Sequence, residues 1–228
     1  MSFLSHDNIG GGGVVAALNA KVYGNGNETL VLSHGYGSDQ TVWHFLVPYL
    51  ACYFKLIVFD LVISPNVDPQ LYNPRTDDLI SLLDQLNVTK TIYVAHSMSA
   101  MIGCSAATKR PELFQHFVQL NGSPRYLNTK GYYGGFERSD IDSIFISIEK
   151  NFSNWVQNFV PEAISVNNTV AVSEIERSLE RMKPNIALSA AKTVFLSDLR
   201  RKLPEVVVPC TIIQSSKDYI VPKFWHFI

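Results

Sequence analysis

Cysteine is scarce in this chain: three residues among 228, at Cys52, Cys104 and Cys210. Neither these nor the six histidines form a CxxC, an HExxH or any other paired ligand spacing, so no zinc site, other metal or cofactor is expected. Three cysteines cannot all pair with one another, and each lies in an apolar stretch that suggests a buried thiol. A reducing intracellular compartment such as the cytoplasm follows, and the sequons at Asn27, Asn87, Asn151 and Asn167 then stay unglycosylated. Long apolar runs are missing too. Nothing reaches the ~18 residues of a spanning helix, and the first residues, MSFLSHDNIGGGG, lack the basic stretch and apolar core of a leader. A strong charge of either sign is also absent. The net charge of −1 gives no long-range attraction to nucleic acid or to an anionic membrane.

What is present is a chain 46% hydrophobic and 17% charged, a balance that suits one globular domain. Short β-branched runs alternate with helical patterns, the mark of a parallel sheet with crossover helices. Strands are predicted at Thr29–Ser33, Leu56–Asp60, Thr91–Ala95, Phe117–Asn121 and Thr211–Ser215, with Asn19–Tyr23 as an antiparallel edge. Asp77–Leu86 reads as a helix, with Leu79, Leu82, Leu83 and Leu86 on one face and Thr76 as its cap. Ser97–Lys109 reads as another, stopped before Pro111.

From Pro124 to Leu203 the strand signal vanishes and four helices are expected. Ser139–Asp142 and Ser173–Glu176 resemble capping boxes, and Pro184 suits the first turn of a helix running towards Leu199. This predicts an α/β domain over 1–228, with 1–123 and 204–228 as core. The helical insert 124–203 caps the carboxyl edge of the sheet, where ligands bind in such folds. The only low-complexity piece is Gly10–Gly13.

Three local signals carry chemistry. Thr91–Ala95 runs straight into His96-Ser97-Met98-Ser99 and a helix of small residues, the strand–turn–helix context of a nucleophile elbow. Ala95 and Ser99 stand where the G-x-S-x-G pattern has glycine, and both are small enough for the crowding there. Leu32-Ser33-His34-Gly35-Tyr36-Gly37 follows an early strand. Such a loop and the residue after the nucleophile supply oxyanion-hole N–H groups, here Tyr36 and Met98. A phosphate loop is the competing reading, but a third glycine and a P-loop lysine are missing. Asp218, in Ser215-Ser216-Lys217-Asp218 after the late strand, sits where the acid of a Ser–Asp–His order belongs, with a turn aspartate as the alternative.

These strings resemble the plant strigolactone and karrikin receptor family of α/β-hydrolases, in its DWARF14-like branch. The resemblance runs from about Asn19 to Pro222. It rests on His34-Gly35-Tyr36-Gly37-Ser38-Asp39-Gln40, on His96-Ser97-Met98-Ser99-Ala100-Met101-Ile102-Gly103 and on Ser123-Pro124-Arg125-Tyr126. Gly134-Gly135-Phe136-Glu137, Met182-Lys183-Pro184-Asn185-Ile186 and Gln214-Ser215-Ser216-Lys217-Asp218 extend it. It implies an α/β-hydrolase fold with a four-helix lid, an apolar pocket for a butenolide-type ligand, slow hydrolysis, and F-box and repressor proteins as partners. By the same resemblance the pocket positions are Tyr36, Tyr126, Phe136, Trp155, Phe159, Phe195 and Ile220. An aromatic-rich cap over a serine independently suggests an apolar cleft, although core packing would explain any one of these rings.

The chain also departs from the pattern. A catalytic histidine is expected some thirty residues after the acid, but only His226 follows Asp218, in a segment that should begin a helix. His96 adjoins Ser97 and points away from it, and His34, His44 and His116 read as loop or surface residues. About a dozen residues are missing around Ser64–Thr76, and the last strand and helix are not represented, which makes Thr211–Ser215 an exposed sheet edge. Ile220 is bulkier than the alanine the resemblance implies there, which predicts a narrower or reshaped cavity. Three readings stay open: a ligand-binding receptor, a weak serine hydrolase of small esters or lactones, and a non-functional family member.

Overall fold

A computed structural model describes residues 13–61, 73–164 and 168–222. The first twelve residues, the segment 62–72 that overlaps the shortened Ser64–Thr76 stretch, Asn167 and His226 lie outside the described residues.

Six strands form one sheet in the order β1-β3-β2-β4-β5-β6. They are β1 (Lys21–Tyr23), β2 (Thr29–Ser33), β3 (Lys55–Phe59), β4 (Thr91–His96), β5 (Phe114–Leu120) and β6 (Cys210–Ile213). β1 pairs antiparallel with β3, and every other pairing is parallel. The central β2 and β3 are buried on both faces after their first residue. That is why they read as unbroken apolar runs rather than as alternating ones. β6 forms an edge of the sheet, and all four of its residues are exposed.

Eight helices surround the sheet among the described residues. The short α1 (Val14–Ala17) and the longer α3 (Asn73–Gln85) and α4 (Met98–Lys109) belong to one apolar core, with Leu79, Leu82, Leu83, Met101 and Ile102 fully buried. The short α2 (Val47–Leu50) packs with Trp43 against Leu30, Leu32, Leu56 and Val58 on the opposite face. Between β5 and β6 come α5 (Arg138–Lys150), α6 (Phe152–Ile164), α7 (Thr169–Glu180) and α8 (Pro184–Leu196), the four-helix lid. The only pairing inside that span among the described residues is two isolated bridges, Leu127 with Phe136 and Thr129 with Tyr132.

Helix starts differ from the expectation in three places. α3 begins at Asn73, so Thr76 lies inside it and is buried, and Asp77 pairs with Lys109 at 2.6 Å rather than serving a first turn. A threonine before two aspartates looks like a cap in sequence, but Pro74, two residues before it, suits the first turn of a helix that starts earlier. α5 is capped from Glu137, whose N–H donates to Asp140 Oδ2 at 2.8 Å, two residues ahead of the expected box. α7 is capped by Asn168, whose Oδ1 accepts from the Ala171 N–H at 3.1 Å, leaving Ser173 inside the helix. Pro184 does begin α8. The thiols differ too. Cys104 is buried, but Cys52, on the outer turn after α2, and Cys210, at the sheet edge, are exposed, and all three are free. No described helix is long and apolar enough to cross a membrane.

Candidate active site

β4 ends at His96, and the chain turns sharply at Ser97 before α4 begins. Ser97 has φ 54° and ψ −119°, a backbone state that costs a non-glycine residue energy. Neighbours on both sides hold it there. Its N–H donates to Leu120 O at 2.9 Å, and its carbonyl accepts from the Ala100 N–H at 3.0 Å. Small residues make room for the turn. A Cβ on Gly122 would stand 2.6 Å from the Ala100 Cβ, and one on Gly35 would stand 2.7 Å from His96 Nδ1 and 3.0 Å from the Ser97 Cβ. Met98 opens α4 and is buried, and its N–H is among those an α-helix leaves unbonded at its start.

Ser99 does more than substitute for a glycine. Its hydroxyl donates to His34 O and accepts from Ser33 Oγ at 2.8 Å, all of it buried. The end of β2 is thereby tied to the first turn of α4. This role was not legible in the sequence, where only the smallness of residue 99 carries a signal.

Ser97 opens into a cavity of about 280 Å³. Of the residues singled out in the sequence, Tyr36, Ser97, Phe159, Phe195, Asp218 and Ile220 line it together. Lid helices add Ala163, Leu179 and Val194, and the polar end adds Asn121, Ser215 and Lys217. Tyr126, Phe136 and Trp155 do not line this cavity. Tyr126 and Phe136 stand behind Phe195, edge-on at 5.4 and 5.3 Å between ring centroids, and Trp155 stacks on Phe159 at 4.7 Å. They support the wall instead of forming it. Phe136, Trp155 and Phe159 border a separate groove between α5 and α6. Asn121 escaped the sequence reading as well. It takes φ 50° and exchanges hydrogen bonds with Ser215, donating to Oγ at 2.9 Å and accepting from its N–H at 2.8 Å, which joins β5 to the Asp218 loop.

Among the described residues no histidine bonds Asp218. Its Oδ1 instead accepts the N–H groups of Ile220 at 2.8 Å and Val221 at 2.9 Å. Burial raises the Asp218 carboxyl above its ordinary value, with those two N–H groups opposing the shift. His96 lines the cavity beside Ser97, and burial, together with His34, holds it near pKa 4, so it is neutral at pH 7. His34 corrects the expectation of a loop or surface residue. It is buried, its Nδ1 lies 2.9 Å from Gly35 O, and its Nε2 accepts from the Leu61 N–H at 3.0 Å. Only a neutral ring protonated at Nδ1 satisfies both contacts, and burial lowers its pKa accordingly. His44 is exposed, and His116 is partly exposed with Nε2 2.8 Å from Thr211 Oγ1. Among the described residues no cluster of His, Cys, Asp or Glu could hold a metal ion.

The raised Asp218 carboxyl gives a pH test. Below the ordinary aspartate pKa the group is protonated in both folded and unfolded chains and has no effect. As pH rises from the ordinary value to the raised folded one, the unfolded chain gives up the proton first, so stability falls until the folded carboxyl has ionised too. Asp218→Asn keeps an oxygen for the two N–H donors and removes the charge. Its melting temperature relative to the unsubstituted chain is expected to climb from pH 3 to pH 7 and then level off. A difference that shrinks over that range would show that a cation partners Asp218.

The strained serine at the end of a parallel strand, the acid after a later strand and the helical lid between them define an α/β-hydrolase. Among solved structures, a hydrolase from Oleispira antarctica has a TM-score of 0.86 at 29% identity, over 92% of this chain and 81% of that one. An enol-lactonase from Burkholderia xenovorans shares the fold, with a TM-score of 0.71 at 18% identity, over 87% of this chain and 79% of that one. No family model matches the chain. Individual relatives are more specific. Strigolactone esterase D14 of Arabidopsis thaliana is 41% identical over 217 residues, and Karrikin insensitive 2 receptor CA of Petunia hybrida is 43% identical over 218. Each alignment covers 92% of this chain and 81% of the relative. The chain belongs to this family of strigolactone esterases and karrikin-insensitive-2 receptors.

Proposed function

We propose that the chain binds a small apolar lactone of the butenolide type in the cavity over Ser97. Tyr36, Phe159, Phe195 and Ile220 enclose the ligand, and the Tyr36 and Met98 N–H groups hold its carbonyl oxygen. The observation that carries this reading is the strained Ser97 turn at the polar end of an otherwise apolar cavity. A pocket of this size, with few convergent polar groups, suits one small ligand. Relatives named both as receptors and as esterases point to the same class of molecule. By this reading an F-box protein and a repressor are its protein partners, and the cytoplasm and nucleus its location.

A second reading, a serine hydrolase of small esters or lactones, is favoured by Asp218 lining the same cavity as Ser97. Without a base, the groups described supply roughly the 10³–10⁴-fold over water that an oxyanion hole and binding give. Turnover of a fluorogenic acetate ester is therefore expected to be slow, roughly a million-fold below that of a complete triad. A large rate that disappears in Ser97→Ala would establish the hydrolase reading.

Binding is tested by titrating a synthetic butenolide and following the melting temperature. A ligand that binds only the folded chain, at about a hundredfold excess over its dissociation constant, raises stability by about 2.7 kcal/mol, and a reproducible upward shift marks binding. No shift at saturation, in a protein shown to be folded, would leave the chain a family member without this function.

A further inference from the structure

The loop from Gly35 to Asp39 is anchored at both ends to different layers of the molecule. Its inner end is fixed to the elbow. Ser99 holds the His34 carbonyl, and Gly35 lies against His96 and Ser97 too closely to admit a Cβ. Its outer end is fixed to the lid. The Tyr36 hydroxyl donates to the Ala187 carbonyl on α8 at 3.0 Å, across 151 residues of sequence. Asp39 forms an ion pair with Arg181, just after α7. Between them Gly37, at φ 76°, packs so tightly on Leu179 of α7 that a Cβ would stand 2.8 Å from its Cδ1.

Tyr36 is the residue where these constraints meet. Its ring lines the cavity, and its hydroxyl is bonded to the lid. Its N–H has no hydrogen-bond acceptor among the described residues. The bond to Ala187 uses a carbonyl well inside α8, whose other lone pair serves the helix's own i→i+4 bond. Without that bond the part-buried phenol would lose its hydrogen-bond partner.

We propose that Tyr36 is a positioning residue through which the seating of lid helix α8 sets the oxyanion hole over Ser97. While α8 is seated, the hydroxyl bond fixes the loop and points the Tyr36 N–H at the reacting oxygen. When α8 moves, the bond breaks and the N–H loses its register. This rests on the functional reading above and adds a determinant to it. The state of the lid would control stabilisation of a tetrahedral adduct, separately from the affinity for an apolar ligand.

Two probes separate these effects in the 228-residue chain. Phenylboronic acid reads the hole. Ser97 Oγ adds to boron, an O–B bond forms, the hydroxyl proton leaves to solvent, and boron becomes a four-coordinate anion whose oxygen occupies the hole. The boron-11 resonance reports this change directly. Toluene has the same ring without the boron and reads the cavity alone. Tyr36→Phe keeps the ring and removes only the hydroxyl. It is expected to weaken phenylboronic acid about 2- to 10-fold, the worth of one neutral hydrogen bond, and to change toluene affinity less than about 2-fold. Equal weakening of both probes would make Tyr36 a pocket wall only, and no change in either would make its hydroxyl idle; each overturns the proposal. If the unsubstituted chain gives no four-coordinate signal beyond that of Ser97→Ala, no oxyanion forms in the hole and this proposal fails. Butenolide binding is read separately by the melting shift, so failure of the one is distinguishable from failure of the other.

Discussion

Phe195→Ala is expected to destabilise the folded chain by about 3–5 kcal/mol, the range for deleting a fully buried phenylalanine. Phe195 sits near the end of α8 with 1% of its surface exposed. It meets Tyr126 and Phe136 edge-on, at interplanar angles of 67° and 74°, an arrangement that adds to the value of the buried area. It also lines the cavity over Ser97. Removing the ring would merge its volume with space that is already open, and the two rings behind it would lose their packing partner. Urea unfolding monitored by tryptophan fluorescence checks this through the midpoint at constant slope. A loss below about 1 kcal/mol would mean that the lid is held chiefly by other contacts. Phe159→Ala is the comparison. That ring is only partly buried, although it stacks on Trp155, so its loss should cost clearly less.

Filling the cavity is expected to have the largest effect on binding. Ala163 lies on α6, half-buried, and lines the same cavity. Ala163→Trp would place an indole where a ligand must lie, while leaving the sheet and the elbow untouched. Butenolide affinity should fall at least about 100-fold, equivalent to about 2.7 kcal/mol, and the ligand-induced melting shift should vanish. Ala163→Ser, similar in size, should bind as the unsubstituted chain does. Calorimetric titration of the three proteins decides the matter. Undiminished affinity in Ala163→Trp would place the ligand elsewhere, with the groove between α5 and α6 bordered by Phe136 and Trp155 as the next candidate.

These two substitutions probe different properties of one wall. Phe195 joins lid stability to cavity shape, whereas Ala163 touches shape alone. If the lid must move when a ligand binds, Phe195→Ala should alter the size of the ligand response as well as the starting stability. Ala163→Ser should alter neither.

The sequence by itself determined the features that depend on neighbours along the chain. Strands β2 to β5 appear where β-branched and aromatic residues cluster, because those side chains suit a pleated surface whatever lies opposite. The Ser97 elbow is a property of one strand, one turn and the small residues that follow it, and Asp218 follows its strand by a few residues. Three of the four lid helices announced themselves through capping chemistry, a proline start and apolar spacing, and α6 was expected only as one of the count. Exact helix starts were less legible, since Thr76, Ser139 and Ser173 all carry plausible capping chemistry and the positions chosen depend on the packing of the whole helix.

Only the tertiary structure decided which aromatic rings face the cavity. Helical periodicity says that Trp155 and Phe159 share a face of α6, but not that one ring lines the cavity while the other backs it. His34 looked like a loop residue until the Leu61 N–H, 27 positions away, supplied the bond that makes its burial affordable. The same holds for the contacts that give the site its form. Ser99 meets His34 across 65 residues and Tyr36 meets Ala187 across 151. A contact closed over such a distance leaves no local mark, because neither partner's own neighbours in the chain determine what it will touch.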